Sequence, residues 1–153
     1  MTSPASGTWH ILVDRFSGSG LYQLTGTTFL SGTGGEVCVP DNHTLCLHNG
    51  RFRVRVNFRP PNEISRPATA IPFTERAGLF WFFNENNVEM LLKIQNACVN
   101  PFNRYWVFFA ATTNVEFEVV VEDTQEGVEW RRSNPQGIVA LPVADTDAFA
   151  TCP

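Results

Sequence analysis

The stretch HTLCLHNGRFRVRVNFR, residues 43–59, constrains the fold of this chain more than any other. Asn49-Gly50 favours positive φ at both positions, the requirement of a two-residue type I′ hairpin turn. Such a turn sets His48 opposite Arg51, Leu47 opposite Phe52 and Leu45 opposite Val54. Alternation then gathers Leu45, Leu47, Phe52, Val54, Val56 and Phe58 on one face. Arg51, Arg53, Arg55, Asn57 and Arg59 fall on the other. Turn chemistry and side-chain period are independent signals, and here they demand the same register.

Strand and turn chemistry continues along the chain, which carries 13 Phe, 4 Trp, 11 Gly and 10 Pro. TWHILVDRF and LYQLTGTTFL read as two N-terminal strands, and SGTGG at 31–35 reads as a connection. Residues 1–36 are therefore expected to form a β-ribbon that packs on or extends a sandwich spanning 37–153, the two making one compact unit. PPNEISRPATAIP, residues 60–72, holds four prolines and reads as a loop. LFWFFNENNVEMLLKI reads as a hairpin turning at Asn84–Asn87. The run from Tyr105 to Ser133 supplies three strands, with turns near Thr112–Asn114 and Thr124–Gly127. LPVADTDAFATCP reads as a tail. No amphipathic helical pattern exceeds about two turns. The fold class expected is all-β: a two-layer antiparallel β-sandwich, immunoglobulin-like or jelly-roll-like, with about eight strands.

Cys38, Cys46, Cys98 and Cys152 allow three pairings. Cys38 and Cys46 bracket a short loop, and Cys152 could pin an otherwise fraying tail to Cys98. The pairs expected are Cys38–Cys46 and Cys98–Cys152, which imply an oxidising compartment and a leader absent from this chain. The start, MTSPASGTWHILV, has no basic residue before its apolar stretch, unlike a secretory signal. A metal alternative is zinc on Cys38, His43, Cys46 and His48. It would crowd every ligand onto one strand-bound stretch and orphan the other two cysteines.

Catalytic signatures are missing. There is no G-x-S-x-G, no H-E-x-x-H and no Gly-rich phosphate loop before a helix. Glu85, Glu89, Asp123, Glu126, Asp145 and Asp147 read as solvated turn residues rather than a glycosidase pair or a calcium loop. No enzyme activity and no cofactor are expected. Net charge is −4, which opposes a nucleic-acid partner, and apolar runs such as YWVFFAA fall far short of the ~20 residues of a membrane span. The arginine stripe accordingly reads as a charged sheet face rather than an anion site. Lys93 is the only lysine.

Two runs break the alternation. In LFWFF and YWVFF both faces are apolar, so Leu79 and Trp81 oppose Phe80 and Phe82, and Tyr105, Val107 and Phe109 oppose Trp106 and Phe108. Either the chain covers the second face itself, the N-terminal ribbon at 9–30 being the expected cover, or a partner does. Candidate ligand-binding residues are Trp81, Trp106, Trp130, Arg53 and Arg55.

The blocks CVPDNHTLCLHNGRFRVRVNFR, AGLFWFFNENNVEMLLKI, RYWVFFAATTNVEFEVVVEDTQEGVEWRRSNPQG and DTDAFATC occur in that order. Together they resemble a domain of predicted secreted bacterial proteins that often lies near their C-termini. The resemblance covers about residues 37–152. It implies a compact extracytoplasmic β-domain appended to something larger, and it carries no activity, ligand or site residue.

The function expected is a non-catalytic extracellular module for adhesion, assembly or accessory binding. Its partner would be a protein or polysaccharide at the cell surface or in the parent protein. A carbohydrate-binding module of a secreted enzyme is one alternative. A structural subunit that self-assembles through strand edges or apolar faces is another.

Overall fold

The computed structural model describes residues 37–153. Among them are no helices and ten strands in two antiparallel sheets, which do not close into a barrel. Sheet A contains β1 (Thr44–Leu47), β2 (Phe52–Arg59), β3 (Arg66–Pro67), β8 (Glu116–Asp123) and β9 (Val128–Asn134). Its order is β1-β2-β8-β9, with β3 on β2. Sheet B contains β4 (Thr69–Thr74), β5 (Ala77–Trp81), β6 (Met90–Ala97), β7 (Arg104–Ala111) and β10 (Val143–Phe149), in the order β10-β7-β6-β5-β4.

The first hairpin has the register its sequence requires, with Leu45 opposite Val54 and Leu47 opposite Phe52. Asn49 and Gly50 have φ of 56° and 82°. His48 also takes a positive φ, 51°. Its backbone N–H donates to Glu75 O, and its ring Nε2 lies 2.9 Å from Ile94 O, so contacts with sheet B hold it there.

The core is the interleaf of two alternating faces. Sheet A contributes Leu45, Leu47, Phe52, Val54, Val56, Phe58, Phe117, Val119 and Val121, all buried. Sheet B answers with Phe80, Met90, Leu92, Ile94, Tyr105, Val107, Phe109 and Phe149. Much of the phenylalanine content is spent in this layer. Phe58 stacks on Phe82 at 4.5 Å, and Phe52 meets Phe149 at 5.2 Å. Gly78 is the point of closest approach: a Cβ there would lie 2.2 Å from Leu45 Cδ2. Only glycine leaves room for that leucine.

Two segments read as loop and tail are strands. Residues 66–74 form β3 and β4, and the chain changes sheets between them at buried Ala68. Pro67 pairs with Asn57 in sheet A, and Thr69 pairs with Trp81 in sheet B. The prolines are tolerated because both strands are edges, where one side of the backbone needs no ladder partner. Residues 143–149 form β10 against β7, with a register shift between Asp145 and Phe149. The expected strands at 9–30, the ribbon at 1–36 and its cover of the second apolar face lie outside the described residues.

Candidate functional site

The outer face of sheet A is laid out by the same alternation that fills the core. Arg53 pairs with Glu122 at 2.9 Å, and Arg59 with Glu116 at 2.5 Å. Arg131 reaches both Glu118, at 3.3 Å, and Glu129, at 2.7 Å. Glu129 beside Arg131 holds that guanidinium more firmly protonated than usual. Arg55 is exposed and lies opposite Val120. At one margin a groove of about 530 Å³ gathers Glu116 and Glu118, but each carboxylate is already ion-paired to an arginine. Charge on this face is largely neutralised within it.

Arg51 departs from the stripe. Its guanidinium turns into the end of the sandwich, donates to both oxygens of wholly buried Asp123, and lies 4.6 Å from the Tyr105 ring centre. It also donates to Tyr105 Oη and to Thr151 O. Partial burial pulls against its charge, and the Asp123 carboxylate more than offsets this. The residue ties both sheets and the C-terminal segment together. Glu89, likewise read as a solvated turn residue, is buried. Its carboxylate accepts from Phe82 N at 2.6 Å and Asn87 Nδ2 at 2.5 Å, which fixes the β5–β6 loop.

The zinc alternative loses its ligand set. Sulfur atoms of Cys38 and Cys46 lie 1.95 Å apart, and those of Cys98 and Cys152 lie 2.07 Å apart. His43 Nδ1 is 2.9 Å from Ala68 O, and His48 Nε2 turns to Ile94 O, so the two imidazoles address separate carbonyls. No cluster of three or more metal-ligating side chains occurs among the described residues. Nor is any described helix long and apolar enough to cross a membrane.

The outer face of sheet B is different in kind. Leu79 and Trp81 on β5, Leu91 on β6, and Trp106, Phe108 and Ala110 on β7 all point outward, as the two-sided apolar runs require. Cross-strand register sets Ile71, Leu79, Leu91 and Ala110 in one row. Leu91 is 41 % exposed, so a β-sheet residue of the most buried type stands in solvent. Lys93 Nζ lies 5.1 Å from the Phe108 ring centre, and Gln95 pairs with Trp106. A shallow apolar groove of about 320 Å³ runs between Leu91, Phe108, Pro142 and Ala144.

Beside it, a second groove of about 360 Å³ is lined by Phe102, Arg104, Trp106, Thr146 and Asp147. Trp81 and Trp106 thus lie on this face. Trp130 does not: it is buried on sheet A, its Nε1 donates to Asp145 at 3.0 Å, and Arg132 lies 4.8 Å over its ring. Burial alone would raise the Asp145 carboxyl. Hydrogen bonds from Trp130 and the Asp147 backbone, with the Arg132 charge, instead hold it below the usual carboxylate range. Arg104 was not singled out in sequence, and Asp147 was read as a solvated turn residue, whereas it lies on β10. Their pairing at 2.8 Å joins residues 43 positions apart, which no local pattern signals.

No known family model, curated protein or solved structure matches this chain.

Proposed function

We propose that this chain is a non-catalytic, extracellular β-sandwich module that serves adhesion, assembly or accessory binding through the outer face of sheet B. The observation that carries this reading is the contrast between the outer faces. One sheet spends its charges within itself, while the other presents Leu91, Trp106 and Phe108 in a single field. Contiguous apolar surface of this kind marks contact sites in soluble domains. Two disulfides suit an oxidising compartment, in line with the resemblance to secreted bacterial domains.

Carbohydrate binding is the second reading, favoured by aromatic rings beside a polar ion pair at Trp106, Arg104 and Asp147. Self-assembly through strand edges has less support. Edge strand β4 carries Pro72 and a register shift, and β10 is shifted near its end.

Co-sedimentation of the whole chain with insoluble polysaccharide and with purified cell envelopes tests the module reading. The native chain is expected in the pellet and the Leu91→Asp/Phe108→Asp variant in the supernatant. Equal behaviour of the two would overturn it.

A further inference from the structure

We propose that the groove between Phe102, Trp106, Arg104 and the β10 bulge binds a neutral sugar ring, a subsite that rests on the module reading and gives it a ligand class. Three observations carry this.

The first is shape. Phe102 meets Trp106 edge to face, with ring centres 5.1 Å apart, and Trp106 meets Phe108 similarly at 6.1 Å. Trp106 is only half-buried, so the rings form walls rather than core. The apolar C–H face of a pyranose packs against such walls.

The second is unspent polar capacity. Arg104 Nε donates to Asp147 Oδ1, and Arg104 Nη1 donates to Asn103 O at 2.9 Å. That leaves Arg104 Nη2, Asp147 Oδ2 and Thr146 Oγ1 without partners among the described residues. A donor and an acceptor fixed side by side match vicinal hydroxyls, each of which both donates and accepts. The register shift in β10 allows consecutive residues Thr146 and Asp147 to line the same groove. The ion pair has no net charge and the whole chain carries −4, so a neutral saccharide fits better than a uronate or sulfated one.

The third is rigidity. Phe102 sits in a turn whose Phe102 and Asn103 amides both donate to Val99 O. The Cys98–Cys152 bridge joins that turn to the segment leaving β10, so both walls of the groove are tied before any ligand arrives.

The test is affinity electrophoresis of the whole chain in gels containing soluble β-glucan, xylan, galactomannan or glycol chitin, with polygalacturonate and heparin as the anionic arm. Retardation by at least one neutral polymer is expected. Trp106→Ala and Asp147→Ala should each weaken it at least about 10-fold, and Glu129→Gln, exposed on the outer face of sheet A, should leave it within about 2-fold. The Asp147 side chain is 83 % exposed, so its variant folds even where Trp106→Ala does not; circular dichroism checks both. Retardation lost only in the Leu91→Asp/Phe108→Asp variant would overturn the groove while keeping the binding face. Retardation by heparin or polygalacturonate alone, or by none of the polymers, would overturn the sugar subsite, and the module reading would then stand or fall on envelope co-sedimentation.

Discussion

The two outer faces of this sandwich start from the same strand pattern and end in opposite chemistry. On sheet A the outward positions of β2, β8 and β9 alternate with the core set, and arginines meet glutamates across the strands. Such pairs contribute about 0.2–1 kcal/mol each and leave little field for a ligand to feel. On sheet B the outward positions of β5, β6 and β7 are mainly leucine, tryptophan, phenylalanine and alanine, with Lys93 over Phe108. The difference separates a face that settles its own electrostatics from one that leaves apolar area half-exposed.

The largest expected effect concerns the bridges, one on each side of this contrast. Cys38–Cys46 closes a loop of sequence separation 8 beside sheet A, and Cys98–Cys152 one of 54 beside the groove of sheet B. Loop-closure entropy predicts a cost of about 4 kcal/mol for the Cys98→Ala/Cys152→Ala pair against about 2.5 for Cys38→Ala/Cys46→Ala. Urea denaturation midpoints would order them, and equal costs would show that the long loop keeps structure when unfolded.

Next comes the shared frame. Asp123→Ala leaves the Arg51 guanidinium without its carboxylate partner and should cost about 3 kcal/mol. A Glu122→Gln change, one residue away on the outer face, should cost about 1 kcal/mol or less and lose most of that in about 1 M salt. Thermal melts of both variants with and without salt separate the buried pair from the surface pair.

Sheet B supplies the sharpest attempt to break the contrast. If its face works by contact, Leu91→Ser should change stability by less than about 1 kcal/mol in the free chain. A cost of about 2 kcal/mol or more would mean that the chain packs this leucine against itself.

The smallest effect is on pH dependence. The folded Asp145 carboxyl titrates below its ordinary value, so its contribution is complete above the unfolded value of about 3.9. It is lost as pH falls through the lower folded value. The melting-temperature difference between the native chain and Asp145→Asn should therefore shrink below about pH 4.

How much of this was legible in sequence depends on whether a feature is local. The β1–β2 register was readable because the Asn49-Gly50 turn and the alternation around it speak independently. The runs apolar on both faces showed that Trp81 and Phe80, or Trp106 and Tyr105, lie on opposite sides. Alternation alone could not say which set is outward; the sheet packing decides it. β3, β4 and β10 were obscured because Pro67, Pro72, Asp145 and Asp147 argue against strands, and edges excuse them. Arg51 looked like one more member of the stripe because Asp123, Tyr105 and Thr151 are 72, 54 and 100 positions away. Trp130 looked available for the same reason, its partner Asp145 belonging to the other sheet.

The two bridges also decide how the domain would carry tension. A pull applied between Cys38 and Cys152 passes through the sulfurs to Cys46 and Cys98, bypassing the backbone of residues 39–45 and 99–151. Only the segment from Cys46 to Cys98 can lengthen. Strands β7 to β10, with Trp106 and its groove, lie wholly inside the short-circuited loop. The pull therefore never runs along their own backbone and reaches them only through the loss of their neighbours β2 and β6.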